Sequence, residues 1–137
     1  PARYAGRGLA DLCREMHGYL RDESIADILR NVYATLPEPA MTPAEAYRHL
    51  VRGEVTPVPA SELEGRIVAV MVVPYPPGIP VIMPGERCGA ATRAIVDFLV
   101  ASQEFAILFP GFENEVHGVD VLTRDGQRVY YVYCVGE

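Results

Sequence analysis

The stretch "VVPYPPGIPVIMPGE", Val72 to Glu86, constrains this chain more than any other. It directly follows a continuous apolar run, Ile67 to Val73. Five of its fifteen residues are proline and two are glycine. Proline fixes φ and restrains the residue before it, so the segment loses little entropy on ordering. Its apolar side chains, Tyr75, Ile79, Val81, Ile82 and Met83, would be poor choices for a solvated loop. A stiff, apolar, irregular segment after a buried strand reads as a wall. It packs against a neighbouring domain or shapes the mouth of a pocket. The candidates for that wall are Tyr75, Pro76, Pro77, Ile79 and Ile82. A linker that merely crossed the edge of a core would be more polar.

The rest of the chain divides at Glu54. Before it, the apolar positions recur at helical spacing. Leu9 to Arg21 is expected to be a helix, with Leu9, Leu12, Met16, Tyr19 and Leu20 on one stripe. A second helix is expected from Ser24, capped by Ser24 with Asp27 closing a weak box, and ended by Pro37 and Pro39. Ile25, Ile28, Leu29, Val32 and Leu36 form its apolar face. "TPAE" predicts a third start: Thr42 caps, Pro43 suits the first turn and Glu45 reaches back. Ala46, Tyr47, Leu50 and Val51 follow on that helix.

After Glu54, "EVTPVP" reads as an edge strand interrupted by proline. Ile67 to Val73 lacks alternation, which fits a strand covered on both faces. Thr92 to Phe105 predicts a helix with Ile95, Val96, Phe98 and Leu99 inward, and Ile107 to Gly118 reads as irregular. "VDVLT" and "RVYYVYCV" flank Asp125-Gly126, a strong hairpin signal. The expected class is α+β: short N-terminal helices, then a mixed region ending in an antiparallel hairpin. Residues 1–137 read as a single domain. The chain begins "PARYAGRG" without an initiating Met, which we read as a segment of a longer protein.

Charge narrows the function. A net charge of −6 repels phosphate backbones and argues against nucleic acid as a partner. No apolar run approaches the length of a membrane span, so no membrane segment is expected. Cys13, Cys88 and Cys134 are far apart and odd in number, the pattern of reduced thiols in a cytoplasmic protein. All twelve basic residues are arginine. Chemistry that needs a lysine amine, such as a Schiff base to a carbonyl cofactor, therefore cannot originate in these residues.

Candidate polar chemistry is sparse. No histidine or cysteine pair has metal-ligand spacing. His17 and His49 read as structural or surface residues. His117 differs because Glu113 and Glu115 lie in the same short loop, where two carboxylates and an imidazole can handle protons or bind a cation, or form a solvated turn. Glu86 closes the proline segment and can face a cationic ligand, pair with Arg87 or Arg93, or favour a helix start. The cysteines read as small apolar core residues.

"MVVPYPPGIPVIMPGE", then a helix, then "FPGFENEVHGV", resembles the C-terminal domain of the bacterial ornithine/lysine/arginine decarboxylases. The likeness extends upstream through "LPEPAMTPAEAYRHLVRGEVTPVPASELEGR" and covers nearly the whole chain. Within the family the wording is most like the biodegradative, acid-inducible arginine decarboxylases. The resemblance implies a complex α+β domain beside the active-site domains of a large enzyme. That enzyme would use pyridoxal phosphate, bound by a lysine outside this chain, to decarboxylate a basic amino acid. Arginine would become agmatine with consumption of a proton, a role in acid resistance. The chain alone would bind no cofactor and carry no catalytic residue. Its partners would be the remaining domains and neighbouring subunits. Glu86, Glu113, Glu115 and His117 would line the substrate approach and favour a cationic amino acid. "RCGAATRA" departs from the family in having Gly89 and alanines where a more polar helix start is common. The competing readings are a freestanding small-molecule binding module and an oligomerisation module of the same fold.

Overall fold

A computed structural model describes residues 2–136. Its helices are α1 (Leu9–Asp22), α2 (Ile25–Val32), α3 (Pro43–Val51) and α4 (Arg93–Leu108). Its strands are β1 (Glu38–Pro39), β2 (Val55–Pro59), β3 (Val73–Tyr75), β4 (Glu86–Arg87), β5 (Glu115–His117), β6 (Asp120–Arg124) and β7 (Gln127–Val135). Every strand pairing is antiparallel, in the order β2-β7-β6 with two separate ribbons, β1-β4 and β3-β5. The architecture is α+β.

α4 organises the core. Ile95, Val96, Phe98 and Leu99 are all buried on it, as the spacing predicts. They meet Val132 and Cys134, which alternate inward along β7, together with Val58, Leu63, Val68 and Val72. Fully burying side chains of this size stabilises by about 1.5–3 kcal/mol each before entropy is charged against it. The start that lacked a polar cap is handled locally: the Gly89 N–H donates to Thr92 Oγ1 at 3.0 Å, in a short 3-10 turn, Ala90–Thr92, before α4. A smaller cluster of Leu12, Phe105 and Phe109 joins α1 to the end of α4.

The capping box of α3 forms as read: the Glu45 N–H donates to Thr42 Oγ1, and Glu45 accepts from the Thr42 N–H. The expected cap of α2 does not. Ser24 takes a left-handed conformation (φ 52°) and its side chain makes no cap bond. α2 also stops at Val32, short of Pro37, and Leu36 lies outside, 83% exposed. Thr35 Oγ1 there donates to the Ala91 carbonyl at 2.8 Å, tying the chain to the approach to α4. Tyr47 and Val51 of α3 are exposed as well.

The run from Ile67 to Val73 is largely buried but is neither covered on both faces throughout, since Met71 is 46% exposed, nor one regular strand. It is an extended segment that changes partners. Val68 N–H donates to the Glu86 carbonyl, Ala69 N–H to Tyr133, and Val72 N–H to Ile82. The proline segment thus turns back along the strand it leaves, through a turn closed by Gly78 N–H to the Pro74 carbonyl. The Tyr75-Pro76 and Pro76-Pro77 peptides are cis. This return corrects one member of the wall. Ile82 has no exposed surface and sits in this domain's own core, because its backbone pairs with Val72. Tyr75 and Ile79 are 44% and 53% exposed, and Pro76 and Pro77 are exposed beside them.

The terminal hairpin matches its turn signal. Asp125 (φ 53°) and Gly126 (φ 80°) both lie in the left-handed region, with Arg124 opposite Gln127. Two successive positive φ values suit the twist of the flanking strands, and a β-branched residue at the second position resists them. Gly126→Val is expected to destabilise the fold by about 1 kcal/mol or more. Thermal denaturation checks this; an unchanged melting temperature would contradict the turn.

Candidate functional site

β3 and β5 build the site, and their register decides which side chains meet. Tyr75 lies opposite Glu115, and Val73 opposite His117. Residues opposite one another, or two apart on one strand, share a face of an antiparallel pair. The Tyr75 and His117 rings accordingly sit 4.8 Å apart at 46°, and His117 Nε2 lies 2.7 Å from Glu115 Oε1. The segment read as irregular therefore contains a short strand. It is legible only through its distant partner.

Glu113 sits just before that strand and is already engaged. The Gly111 N–H donates to its Oε2 at 2.9 Å, and Arg128 Nη1 donates to its Oε1 at 3.2 Å. The backbone N–H groups of Glu113 itself and of Gly111, then the Arg128 guanidinium, hold its carboxyl below the usual carboxylate range. Glu113, Glu115 and Arg128 line a groove of ≈ 390 Å³, with Val119 and Val121 as apolar wall and Tyr130 at its base. Glu86 is not among the residues lining it. It lies on β4 against β1, where its Oε2 accepts the Met83 N–H at 2.7 Å. Arg93 pairs with Asp97 and Glu64, and Arg87 donates to the Gly65 carbonyl.

A second, apolar cavity of ≈ 160 Å³ lies between α1, α2 and α4, with Tyr19, Leu29, Phe98 and Phe105 among its walls and Tyr75 and Pro76 at its lip. Tyr33 Oη, directly after α2, donates to the Ile79 carbonyl at 3.1 Å, joining the end of the helix to the proline turn. Burial pushes the Cys88 and Cys134 thiols up to about 11 and about 12, the behaviour of core residues. His49 pairs with Glu54 at 2.8 Å near the surface. Among the described residues, no group of three or more His, Cys, Asp or Glu could hold a metal ion, and no helix is long and apolar enough to cross a membrane.

The family model for the Orn/Lys/Arg decarboxylase C-terminal domain matches residues 26–136. The chain belongs to that family. It is 53% identical over 135 residues to lysine decarboxylase LdcA of Pseudomonas aeruginosa, covering 98% of this chain and 18% of that protein. It is 38% identical to the biodegradative arginine decarboxylase of Escherichia coli, covering 98% of this chain and 17% of that protein. Among solved structures, lysine decarboxylase A from Pseudomonas aeruginosa superimposes with a TM-score of 0.89 at 53% identity, over 97% of this chain and 18% of that one. The Escherichia coli constitutive lysine decarboxylase gives 0.88 at 35% identity, over 98% of this chain and 19% of that one. The chain thus spans about a fifth of the length of these relatives.

Sequence reading missed Arg128 and Tyr130, which complete the groove. A signal was present: both fall at even spacing from the inward Val132 and Cys134.

Proposed function

We propose that this chain is the accessory C-terminal domain of a longer, pyridoxal-phosphate-dependent decarboxylase of basic amino acids. One observation carries the reading: the match runs along 98% of this chain yet spans only 18% of a lysine decarboxylase. The cofactor supplies the electron sink for loss of the carboxylate when bound. Its attachment does not fit these residues, because the chain contains no lysine. No chemical step is assigned to them. Their part is to shape the approach: Tyr75, Pro76, Pro77 and Ile79 face another domain or a neighbouring subunit, and Glu113, Glu115 and His117 bias the route towards cations. Glu86 serves its own turn and contributes only through the local field. The setting is cytoplasmic.

On substrate, an identity of 53% to a lysine decarboxylase against 38% to an arginine decarboxylase supports lysine over the arginine reading drawn from the sequence wording. Decarboxylation replaces a carboxylate by a proton, so either substrate would serve acid resistance. The test is the complete polypeptide. Borohydride reduction with pyridoxal phosphate should label a lysine outside residues 1–137, and kcat/KM should favour lysine over arginine and ornithine by at least about tenfold. A protein of this length alone that binds its ligand or assembles unaided would support the binding-module or oligomerisation reading. A preference for arginine would overturn the lysine assignment.

A further inference from the structure

β6 leaves one side of the main sheet open. It is an edge strand whose strand neighbour is β7, and every residue from Asp120 to Arg124 is exposed. Val121 and Leu122 are 44% and 47% exposed. An open edge offers unpaired N–H and C=O groups to any further strand, and proline or a bulge commonly blunts it. β6 has neither: its register with β7 is unbroken from Asp120 to Arg124. Its charges, Asp120 and Arg124, stand at opposite ends with apolar or neutral residues between them.

The hairpin fixes which groups point outward. Arg124 and Gln127 close the two-residue turn and exchange hydrogen bonds, and the pattern alternates from there. Arg124, Leu122 and Asp120 thus use their backbone groups on β7, while Val121 and Thr123 direct theirs away from it. The side chains alternate as well. Val121 faces the groove, so Asp120, Leu122 and Arg124 share the opposite face.

That arrangement is complementary to itself. A second β6 laid antiparallel, with Leu122 opposite its own copy, brings Val121 opposite Thr123 in both directions. The outward groups then meet one another in about four hydrogen bonds. The same register sets each Asp120 opposite Arg124 of the other copy. Arg124 makes no hydrogen bond or ion pair to any described residue. Tyr133 bonds Asp120 from the next strand, and a carboxylate has lone pairs for both partners. Sliding the copies by one residue sets outward groups against inward ones, and sliding by two separates the charges.

We propose that two copies of this chain pair through β6 about a twofold axis at Leu122, joining their β2-β7-β6 sheets into one. The contact is isologous and closes on itself. A few backbone bonds and two exposed ion pairs make it weak between free chains, and copies held near one another in a larger assembly gain from effective concentration.

The test places a cysteine at the axis of the complete polypeptide, with the unsubstituted protein as the control for other thiols. Facing residues of a non-hydrogen-bonded pair stand about 4.5 Å apart at Cα, within disulfide reach. Leu122→Cys is expected to give a disulfide-linked dimer under mild diamide oxidation. Val121→Cys, whose copy lies across the diagonal, should link at least about tenfold more slowly. Adding Arg124→Asp to Leu122→Cys should slow linkage by about tenfold, and adding Asp120→Arg as well should restore it to within about twofold, because the exchanged charges rebuild both pairs. Melts near that of the unsubstituted protein are expected throughout, since each replaced residue is exposed. Equal linkage at the two cysteine positions would mean random collision. A Leu122→Cys thiol shielded from alkylation yet unlinked would mean that another domain covers β6, and one freely alkylated yet unlinked would mean solvent. Failure of the exchanged charges to restore linkage would remove the register. Each of these overturns the proposal. None bears on the decarboxylase reading, which turnover by the unsubstituted polypeptide tests by itself.

Discussion

Ile82→Glu is expected to abolish the cooperative unfolding transition of this domain, while Ile79→Glu, three residues earlier in the same proline segment, is expected to leave it intact. The two isoleucines differ by environment alone. Ile82 has 0% exposure and packs with Val68, Val72 and Ile95 in the main core. A glutamate there forfeits about 1.5–3 kcal/mol of apolar burial. It also brings an unpaired carboxylate into a dry site, which costs several kcal/mol more even if the group takes up a proton. Whole domains are stable by only about 5–15 kcal/mol. Ile79 is 53% exposed, and a charge on such a surface changes stability by about 0.5 kcal/mol or less. Circular dichroism melts of the two variants decide the matter. A cooperative melt for Ile82→Glu near that of the parent would place Ile82 outside the core. Loss of the fold in Ile79→Glu would remove the wall altogether. If Ile79→Glu folds, the complete enzyme supplies the second half of the test, because a wall against a neighbouring domain predicts impaired assembly or turnover. Full activity would mean that Ile79 faces only solvent.

That contrast also marks where the sequence was legible. α1, α3, α4 and the β6-β7 hairpin were readable because their signals are local: a stripe at helical spacing, Thr42 with Glu45, and Asp125 with Gly126. The β3-β5 and β1-β4 ribbons were not, because each pairs short segments far apart in the chain whose residues carry no period of their own. The proline segment is the extreme case. Its prolines announce stiffness but suppress alternation, so nothing in "GIPVIMPGE" says that Ile79 points out and Ile82 in. The return bonds to Val72 and Val68 decide it. The site follows the same division. Glu113, Glu115 and His117 were visible as neighbours in sequence. Their separate employments, Glu113 with Arg128 and His117 with Glu115 against Tyr75, depend on tertiary pairing. Glu86 appeared equivalent to them by charge, but it lies on β4 against β1 and does not line the groove that Glu113 and Glu115 share.

Gly118→Ala should cost about twice as much as Gly126→Ala or more, although both glycines hold φ near +80°. The shared part is conformational: an L-residue held in the left-handed region loses about 1–2 kcal/mol. Gly126 has nothing within 4 Å of where a Cβ would stand, so Gly126→Ala should show that part alone. At Gly118 the added Cβ would lie 2.0 Å from the Met71 carbonyl oxygen and 3.3 Å from Val72 Cα. Those atoms are backbone at the base of the buried extended segment, and no rotamer change moves them aside. Relieving such overlap by shifting a packed backbone costs about 1–3 kcal/mol more. Gly118 also closes the corner between β5 and β6, so the shift should propagate to both. The Glu115–His117 strand would be pushed off β3, and the stacking of His117 on Tyr75 would loosen with it. Two measurements follow from one variant: a melting temperature well below that of Gly126→Ala, and altered side-chain NMR signals at His117 and Tyr75. Equal melting temperatures for the two variants would show that the chain does not approach Met71 so closely, and the β3-β5 corner would then lack the fixed geometry that brings Tyr75, Glu115 and His117 together.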